Sequence, residues 1–194
     1  MKYIGIIPTI IVRRNSIYHI VDHNLIKFIK KCFPKHHLEI LIDRKEIKKI
    51  SLIISTGGNS IVSINKGRAN KIRKLMDDYY FTYAYKNNIS YLGICHGAQH
   101  VAKYFKSQII KKKNHTKKNH SIFFKSMSGS VKVNSYHDYS IKKLPKKLNT
   151  LAYTKDGSIE AFKHKNKKIL GVMWHPERYK KFKKFDLNFL KKYL

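Results

Sequence analysis

The segment ISYLGICHGAQHVAKYF, residues 89–105, is the stretch that decides the fold. Its first part, Ile89 to Ile94, is an apolar run typical of a buried strand, and residues 97–105 favour a helix straight after it. Between the two lies the pattern G-x-C-x-G, centred on Cys95. Glycine at both flanking positions permits the tight strand-to-helix turn that lifts the middle side chain out at the strand end. The pattern predicts Cys95 as a nucleophile; the alternative is a structural cysteine buried in the same turn.

The helix after Cys95 adds an electrostatic reason for this prediction. Its N-terminus would point at the thiol, and the positive end of the helix dipole favours a thiolate. The backbone amide of His96 would then point at an oxyanion that develops during the reaction. The turn thus predicts both a nucleophile and an oxyanion donor.

Outward from this turn, short apolar runs alternate with longer amphipathic ones. The predicted strands before it are 3–7, 38–42 and 52–54, and the predicted helices are 17–32 and 67–86. Such alternation predicts the α/β class, with a central, mostly parallel sheet flanked by helices on both faces. A sheet of this kind binds ligands beyond the carboxyl ends of its strands, and the glycines at 57–58 and 93–97 fall at such strand ends.

The second half of the chain has a different pattern. Residues 106–130 are mostly Lys, Asn, His and Ser, and we expect a pair of strands around an exposed loop there. Further strands are predicted at 131–134, 150–153, 158–163 and 168–174, followed by a closing helix from about residue 181. We find no internal repeat and no long linker, so residues 1–194 are expected to form a single domain.

Composition limits the class of protein. Hydrophobic residues make up 42% of the 194 residues, which is enough to fill a core despite a formal net charge of +31. No run approaches the ~20 apolar residues that span a bilayer, and the N-terminus lacks a clear cleavage site for a signal peptide. Two cysteines, Cys32 and Cys95, give no disulfide framework, which favours a reducing cytoplasm.

The positive charge has two interpretations. The lysines run through predicted helices and loops instead of forming one block, and Ile, Asn and Tyr are plentiful as well. Phosphate contacts could support sequence-independent nucleic-acid binding. We prefer the interpretation that the lysines form a solvated surface and reflect a compositional bias of the coding sequence. Net charge alone is evidence only for nonspecific association. We therefore expect no specific nucleic-acid partner and no membrane partner.

A base for the cysteine is predicted in W-H-P-E at 174–177, directly after the last buried strand. His175 and Glu177 are two residues apart, so both could lie at the strand end beside Cys95, with the imidazole as base and the carboxylate orienting it. His137, His96 and His100 are rival bases.

A second oxyanion donor is predicted in T-G-G at 56–58, where the amide of Gly58 would approach a ligand, although two glycines alone describe an ordinary turn. The eleven histidines show no C-x-x-C or H-E-x-x-H spacing, so no metal is expected. Neither a Walker A pattern nor G-x-G-x-x-G occurs, and we expect no cofactor.

Four motifs, in this order, resemble class I glutamine amidotransferases: S-T-G-G-N at 55–59, G-I-C-H-G-A-Q at 93–99, V-N-S-Y-H at 133–137 and W-H-P-E at 174–177. More narrowly, they resemble the stand-alone γ-glutamyl hydrolases of peptidase family C26. The resemblance covers most of the chain and is weakest at 8–50 and 106–130. It implies a flavodoxin-like α/β sandwich with a small accessory sheet.

The resemblance also implies roles for individual residues. The triad would be Cys95, His175 and Glu177, with the backbone amides of Gly58 and His96 as the oxyanion hole. The residues that would bind the glutamyl group of a small-molecule substrate are Gln99, Asn134, Ser135, Tyr136 and His137.

Residues 131–177 most resemble the subgroup that hydrolyses γ-glutamyl-CDP-amidate, a route that serves capsular polysaccharide modification. Its substrate carries several negative charges, so Arg68 and Arg178 are candidate phosphate-binding residues; a solvent-facing side chain is the alternative for each. Ser60 and Ala98 depart from residues common in relatives, which leaves the substrate's leaving group open.

Three other functions stay open. The chain could hydrolyse γ-glutamyl amines such as polyamine conjugates, or it could be a glutaminase subunit that delivers ammonia to a synthase partner. A basic nucleic-acid-binding protein on an inactivated fold is the third. For the assembly, a homodimer and a complex with a synthase partner both stay open.

Overall fold

The computed structural model describes residues 1–42, 49–112, 118–126 and 128–194. The helices in these ranges are α1 His23–Cys32, α2 Arg68–Lys86, α3 His96–Tyr104 and α4 Lys184–Tyr193. The strands are β1 Lys2–Ile7, β2 Thr9–Arg13, β3 Ser16–Ile20, β4 His36–Ile40, β5 Ile50–Ser55, β6 Ser90–Ile94, β7 Gln108–Lys111, β8 Lys118–Phe124, β9 Ser130–Ser135, β10 Tyr139–Lys143, β11 Leu148–Thr154, β12 Ile159–His164 and β13 Ile169–Val172.

One large mixed sheet organises the fold. Its first part is parallel, in the order β4-β1-β5-β6-β13, and its second part continues antiparallel as β12-β11-β8-β9. Strand β10 pairs with β12 and β7, while β2 and β3 form a separate two-stranded sheet. The two parts of the large sheet meet where β13 lies between β6 and β12.

Helices cover both faces of the parallel part. Alternate side chains of a strand point to opposite faces, so neighbouring positions belong to different cores. On one face Ile4 and Ile6 pack with Phe28 of α1 and Phe189 of α4. On the other face Ile53 and Tyr91 pack with Phe81 of α2 and Val101 of α3. The predicted α/β sheet with helices on both faces is confirmed.

The predicted helix over 17–32 is wrong in its first part. Residues 16–20 form β3, which pairs antiparallel with β2 through a turn in which Arg14 has a φ of 49°. Ile17, assigned to the buried helix face, is 41% exposed. The helix begins only after Asp22, whose carboxylate accepts the Asn24 amide as an N-cap. The spacing of apolar residues across 17–25 therefore arises from a strand followed by a helix.

The second half follows the prediction in part. Strands β7 and β8 flank residues 113–117, but they do not pair with each other: β7 pairs with β10, and β8 pairs with β9 and β11. The loop predicted between them lies largely outside the described residues. Strand β10 was not predicted. Among the described helices, none is long and apolar enough to cross a membrane.

Candidate active site

Cys95 lies in the turn between β6 and α3, at the carboxyl edge of the parallel strands. Its backbone has a φ of 51° and a ψ of −99°, and its amide donates to the Val172 carbonyl on β13 at 2.8 Å. Both flanking glycines are required by close packing: a Cβ on Gly93 would lie 2.5 Å from the Gly97 carbonyl carbon, and one on Gly97 would lie 2.3 Å from the Ser55 carbonyl oxygen. The turn therefore has the close packing that the G-x-C-x-G pattern predicted.

His175 and Glu177 follow β13, the strand beside β6, so the sheet itself places them next to Cys95. The His175 imidazole is hydrogen-bonded to the Cys95 thiol. Its Nδ1 lies 2.6 Å from Glu177 Oε1. A short 3-10 helix, Pro176–Arg178, turns the chain so that the carboxylate faces back to the ring. These three side chains form one buried hydrogen-bonded chain.

Electrostatics favour an ion pair between the first two members of this chain. Burial alone would raise the pKa of Cys95, but the charge and hydrogen bond of His175 outweigh it and the pKa of the thiol is lowered. For His175, burial opposes the charged form, yet the Cys95 thiolate and Glu177 raise its pKa to about 9. Each group thus favours the charged form of the other, and a thiolate beside an imidazolium can attack a carbonyl carbon.

Asn134 holds the backbone of His175 from β9. The Asn134 side-chain amide donates to the His175 carbonyl at 2.8 Å, and the His175 backbone amide donates to Asn134 Oδ1 at 2.8 Å. The backbone amide of Asn134 in turn donates to the Tyr179 hydroxyl at 2.9 Å. Both polar atoms of the Asn134 side chain are therefore engaged with the backbone of the proposed base.

The loop after β5 brings Gly57 against the His175 ring and Gly58 against Thr9. A Cβ on Gly57 would lie 2.5 Å from Cε1 of His175, so only glycine fits here without displacing the ring. Gly58 has a φ of 105°, a conformation that glycine adopts readily. The Thr9 hydroxyl donates to the Gly57 carbonyl at 2.8 Å, and Asn59 exchanges two hydrogen bonds with the Ile10 backbone. The small β2–β3 unit thereby holds the loop.

A buried ion pair on α2 stabilises the loop after β5, and the sequence analysis did not identify it. Arg73 and Asp77, one turn apart on α2, are both fully buried and lie 2.9 Å apart. The Arg73 guanidinium also donates to the carbonyls of Pro8 and Thr56 at 2.9 and 2.7 Å. Asp77 further contacts Nε2 of His96 at 2.9 Å. Arg73 and Asp77 thus connect both candidate oxyanion-hole segments, and nothing in the sequence pattern marks them as buried.

The cavity above Cys95 has a volume of about 360 Å³. It collects several of the predicted residues, namely Gly58, Cys95, Gln99, Tyr136, His137, His175 and Arg178. Gln99 donates to the Tyr139 carbonyl at 3.0 Å, and the Arg178 guanidinium lies 4.7 Å from the centre of the Tyr136 ring. The cavity can therefore offer polar and cationic groups to a small anionic molecule.

Other predicted residues lie away from that cavity surface. The side chains of Asn134 and Ser135 are buried behind it, and Arg68 is exposed at the start of α2. None of these three lines the cavity. The amide of His96 is the first of α3, and the first amides of a helix have no acceptor within that helix.

The rival bases have other partners. The His96 and His100 rings face Asp77 and Asp78, each at 2.9 Å. His137 lines the cavity, but its Nδ1 faces the Tyr139 carbonyl at 3.1 Å. Of these histidines, His175 is the one hydrogen-bonded to the thiol. Within the described ranges, no cluster of three or more His, Cys, Asp or Glu side chains could hold a metal ion.

Sequence comparison defines the class of protein. The family profile described as glutamine amidotransferase class-I matches residues 18–192, and the chain therefore belongs to this family. Among curated relatives, the γ-glutamyl-CDP-amidate hydrolase of Campylobacter jejuni is 40% identical over 129 residues, which are 66% of this chain and 63% of that protein. The glutamine-hydrolyzing GMP synthase subunit of Pyrococcus furiosus is 31% identical over 146 residues, 70% of this chain and 71% of that protein. The match to the Campylobacter hydrolase thus spans less than two thirds of that relative.

Solved structures agree on the fold. A Thermoplasma acidophilum protein provisionally assigned as one subunit of GMP synthase superposes with a TM-score of 0.75 at 17% identity, covering 100% of this chain and 92% of that chain. A glutamine amidotransferase from Thermotoga maritima superposes with a TM-score of 0.69 at 17% identity, covering 91% and 76%. At such identities the likeness concerns the fold alone, and it confirms the flavodoxin-like prediction.

Proposed function

We propose that this chain is a cysteine hydrolase that cleaves the γ-glutamyl amide bond of γ-glutamyl-CDP-amidate. The observation that carries the chemistry is the buried hydrogen-bonded chain from Cys95 through His175 to Glu177, at the start of α3. The 40% identity to the Campylobacter jejuni hydrolase supports the choice of substrate. The proposal treats residues 1–194 as one domain acting in the cytoplasm, where both free cysteines would stay reduced.

The proposed reaction is acyl transfer in two steps. The Cys95 thiolate attacks the γ-carbonyl carbon, and the amides of Gly58 and His96 hold the oxyanion. The His175 imidazolium then gives its proton to the leaving nitrogen, the C–N bond breaks, and a glutamyl thioester remains. Neutral His175 takes a proton from water, which attacks the thioester, and glutamate leaves while the thiolate reforms. Glu177 holds the imidazole in orientation throughout.

Substrate contacts follow from the cavity. We propose that Gln99, Tyr136 and His137, which line it beside Cys95, hold the glutamyl group. Arg178 lies at the same cavity and is 35% exposed, so its guanidinium can reach a phosphate of the leaving group. Asn134 and Ser135 are buried next to the residues that line the cavity and act by holding those residues in place. Arg68 has no place in this proposal, because it does not line the cavity.

The deciding experiment measures glutamate release from γ-glutamyl-CDP-amidate, γ-glutamyl-putrescine and glutamine. Cys95→Ala is compared with Cys32→Ala, which removes the other cysteine, in the core. We expect a strong preference for the CDP-amidate, lost in Cys95→Ala and kept in Cys32→Ala. Wild-type activity in Cys95→Ala would overturn the mechanism, and preference for another substrate would overturn the substrate assignment.

A second candidate is a glutaminase subunit that works with a synthase. The similarity to the glutamine-hydrolyzing GMP synthase subunit of Pyrococcus furiosus favours it. In that case the isolated chain would release little glutamate from any of the three substrates, and glutamine hydrolysis would appear only after a synthase partner is added.

A further inference from the structure

Glu160 on β12 is fully buried between two histidines that the triad does not use. Its Oε1 lies 3.7 Å from Nε2 of His137, and its Oε2 lies 3.4 Å from Nε2 of His120 on β8. The Glu160 carbonyl accepts the amide of Met173 at 2.8 Å, two residues before His175. The carboxylate therefore contacts β8 and the cavity wall, and the backbone of Glu160 is bonded to the chain just before His175.

The surroundings of His137 indicate its protonation. Its Nδ1 faces the Tyr139 carbonyl at 3.1 Å, and a carbonyl oxygen only accepts hydrogen bonds. Its Nε2 faces a carboxylate, which also accepts. An imidazole with acceptors at both nitrogens is satisfied only when both carry protons. A fully buried carboxylate likewise needs a compensating positive charge nearby.

We propose that Glu160 is a positioning residue that holds His137 as an imidazolium beside Cys95, so that a second cation besides His175 stabilises the thiolate. The proposal rests on the proposed role of Cys95. In this role the buried Glu160 carboxylate acts on the reaction through His137 and does not itself contact the substrate.

The electrostatics of both groups agree with this assignment. Burial disfavours the charged form of His137, but the hydrogen bond and charge of Glu160 outweigh it, and the pKa of His137 is raised. The pKa of Cys95, which burial alone would raise, is lowered by His175 first and then by His137 and Arg178. The Cys95 thiolate also raises the pKa of His137, and the His120 ring from β8 lies 6.5 Å from the His137 ring, centroid to centroid. The sign is therefore clear: neutralising Glu160 lowers the pKa of His137 and raises that of the thiol.

The test measures how fast iodoacetamide alkylates Cys95 at each pH, in a Cys32→Ala background that leaves a single thiol. We expect Glu160→Gln to move the midpoint of thiolate formation upward by at least about half a pH unit. His137→Gln should shift the midpoint upward at least as far, because it leaves the Glu160 charge without its cation, and the double variant should match Glu160→Gln. Glu39→Gln, at an exposed glutamate on β4, is the matched control and should leave the midpoint unchanged.

An unchanged midpoint in folded Glu160→Gln would overturn the proposal. Should that variant not fold, an unchanged midpoint in His137→Gln would do the same. Because alkylation needs no substrate, the result is separate from the hydrolase assay. A shift without any hydrolysis would reject the proposed substrate and keep the role of Glu160.

Discussion

The amide group of Asn134 fixes where the His175 backbone lies, since it both donates to and accepts from that residue. We predict that Asn134→Ala lowers kcat for glutamate release by about 10- to 100-fold, because the imidazole loses its alignment with Cys95. KM should change less than about twofold, since the side chain does not line the cavity. Steady-state kinetics at saturating substrate measure both parameters.

A matched control is Asn119→Ala, at the exposed residue paired with Asn134 in the register of β8 and β9. It should leave kcat and KM unchanged. A large rise in KM for Asn134→Ala with an unaltered kcat would instead place Asn134 in direct contact with the glutamyl group, the role that its motif suggests.

The sequence could identify those site residues whose role is indicated by their neighbours in the chain. Cys95 stands between two glycines at a strand end, and His175 and Glu177 stand two residues apart. Asn134, Arg73 and Glu160 act through partners on other elements, such as the contact across 41 residues from Asn134 to His175. No local pattern reveals such contacts, and a lone charged residue is usually exposed. The motif singled out Asn134 but not its contact with His175, and the burial of Arg73 and Glu160 required the structure.

At the level of elements, the attachment of α2 to the strand ends depends on Arg73. Replacing it with Met would leave Asp77 as a buried charge without its cation, which costs about 3–5 kcal/mol. We predict a decrease of that size in the free energy of unfolding. Urea unfolding followed by the fluorescence of the single tryptophan, Trp174, measures it. Arg73→Lys keeps the charge but loses the forked hydrogen bonds to Pro8 and Thr56, and its stability should fall between those of the wild type and Arg73→Met.

The next residue of α2 supplies the control. Lys74 pairs with Asp78 in the same i,i+4 geometry, but both side chains are well exposed. Lys74→Met should cost less than about 1 kcal/mol, because solvent screens such pairs. Equal losses for Arg73→Met and Lys74→Met would refute a special role for the buried pair.

The hairpin β2–β3 shows why one predicted helix failed. Apolar spacing of three and four residues fits the helical period, and Ile17 on the exposed strand β3 falls four residues before Val21 by chance. The information that decides the case is the turn at Arg14 and Asn15 and the capping residue Asp22. The central strands were easier to predict, because each contains a continuous run of apolar and glycine residues, such as Leu52–Ile54 in β5 and Ile169–Val172 in β13.

Helix α4 gives a prediction about pH. Burial raises the pKa of Asp186 to about 6, although the Trp174 side chain donates to its carboxylate at 2.9 Å. The folded state therefore binds this proton more tightly than the unfolded chain. Its contribution to stability is fully present only below the ordinary pKa of 3.8 and is lost as the pH rises through about 6.

We predict that Asp186→Asn, which stays neutral and keeps an oxygen for Trp174, is more stable than the wild type by about 2 kcal/mol at pH 7.5. Near pH 4 the two proteins should differ little, because the wild-type carboxyl is then protonated as well. Urea unfolding at both pH values tests this. A difference that is the same at both would show that the ionisation of Asp186 does not matter.

For the whole molecule, the cavity lies where the two halves of the sheet meet. The parallel half supplies Cys95 and His175 from the ends of β6 and β13. The antiparallel half supplies Asn134 and Glu160, each linked by hydrogen bonds to the chain around His175. The second half of the chain, whose strand pairing was the hardest part to predict, therefore supports the residues that were easiest to identify.

The formal net charge of +31 gives the last prediction. A positive field attracts an anionic substrate over long distances, and salt screens that attraction because the Debye length is about 10 Å at 0.1 M and shorter above it. We predict that kcat/KM for γ-glutamyl-CDP-amidate falls several-fold, roughly three or more, between 50 and 300 mM KCl. Glutamine carries no net charge at neutral pH, so its kcat/KM should change less than about twofold over the same range. Initial rates at low substrate concentration measure both values on one enzyme preparation. Equal salt effects on the two substrates would show that the lysine-rich surface has no part in substrate capture, and that its charge reflects composition alone.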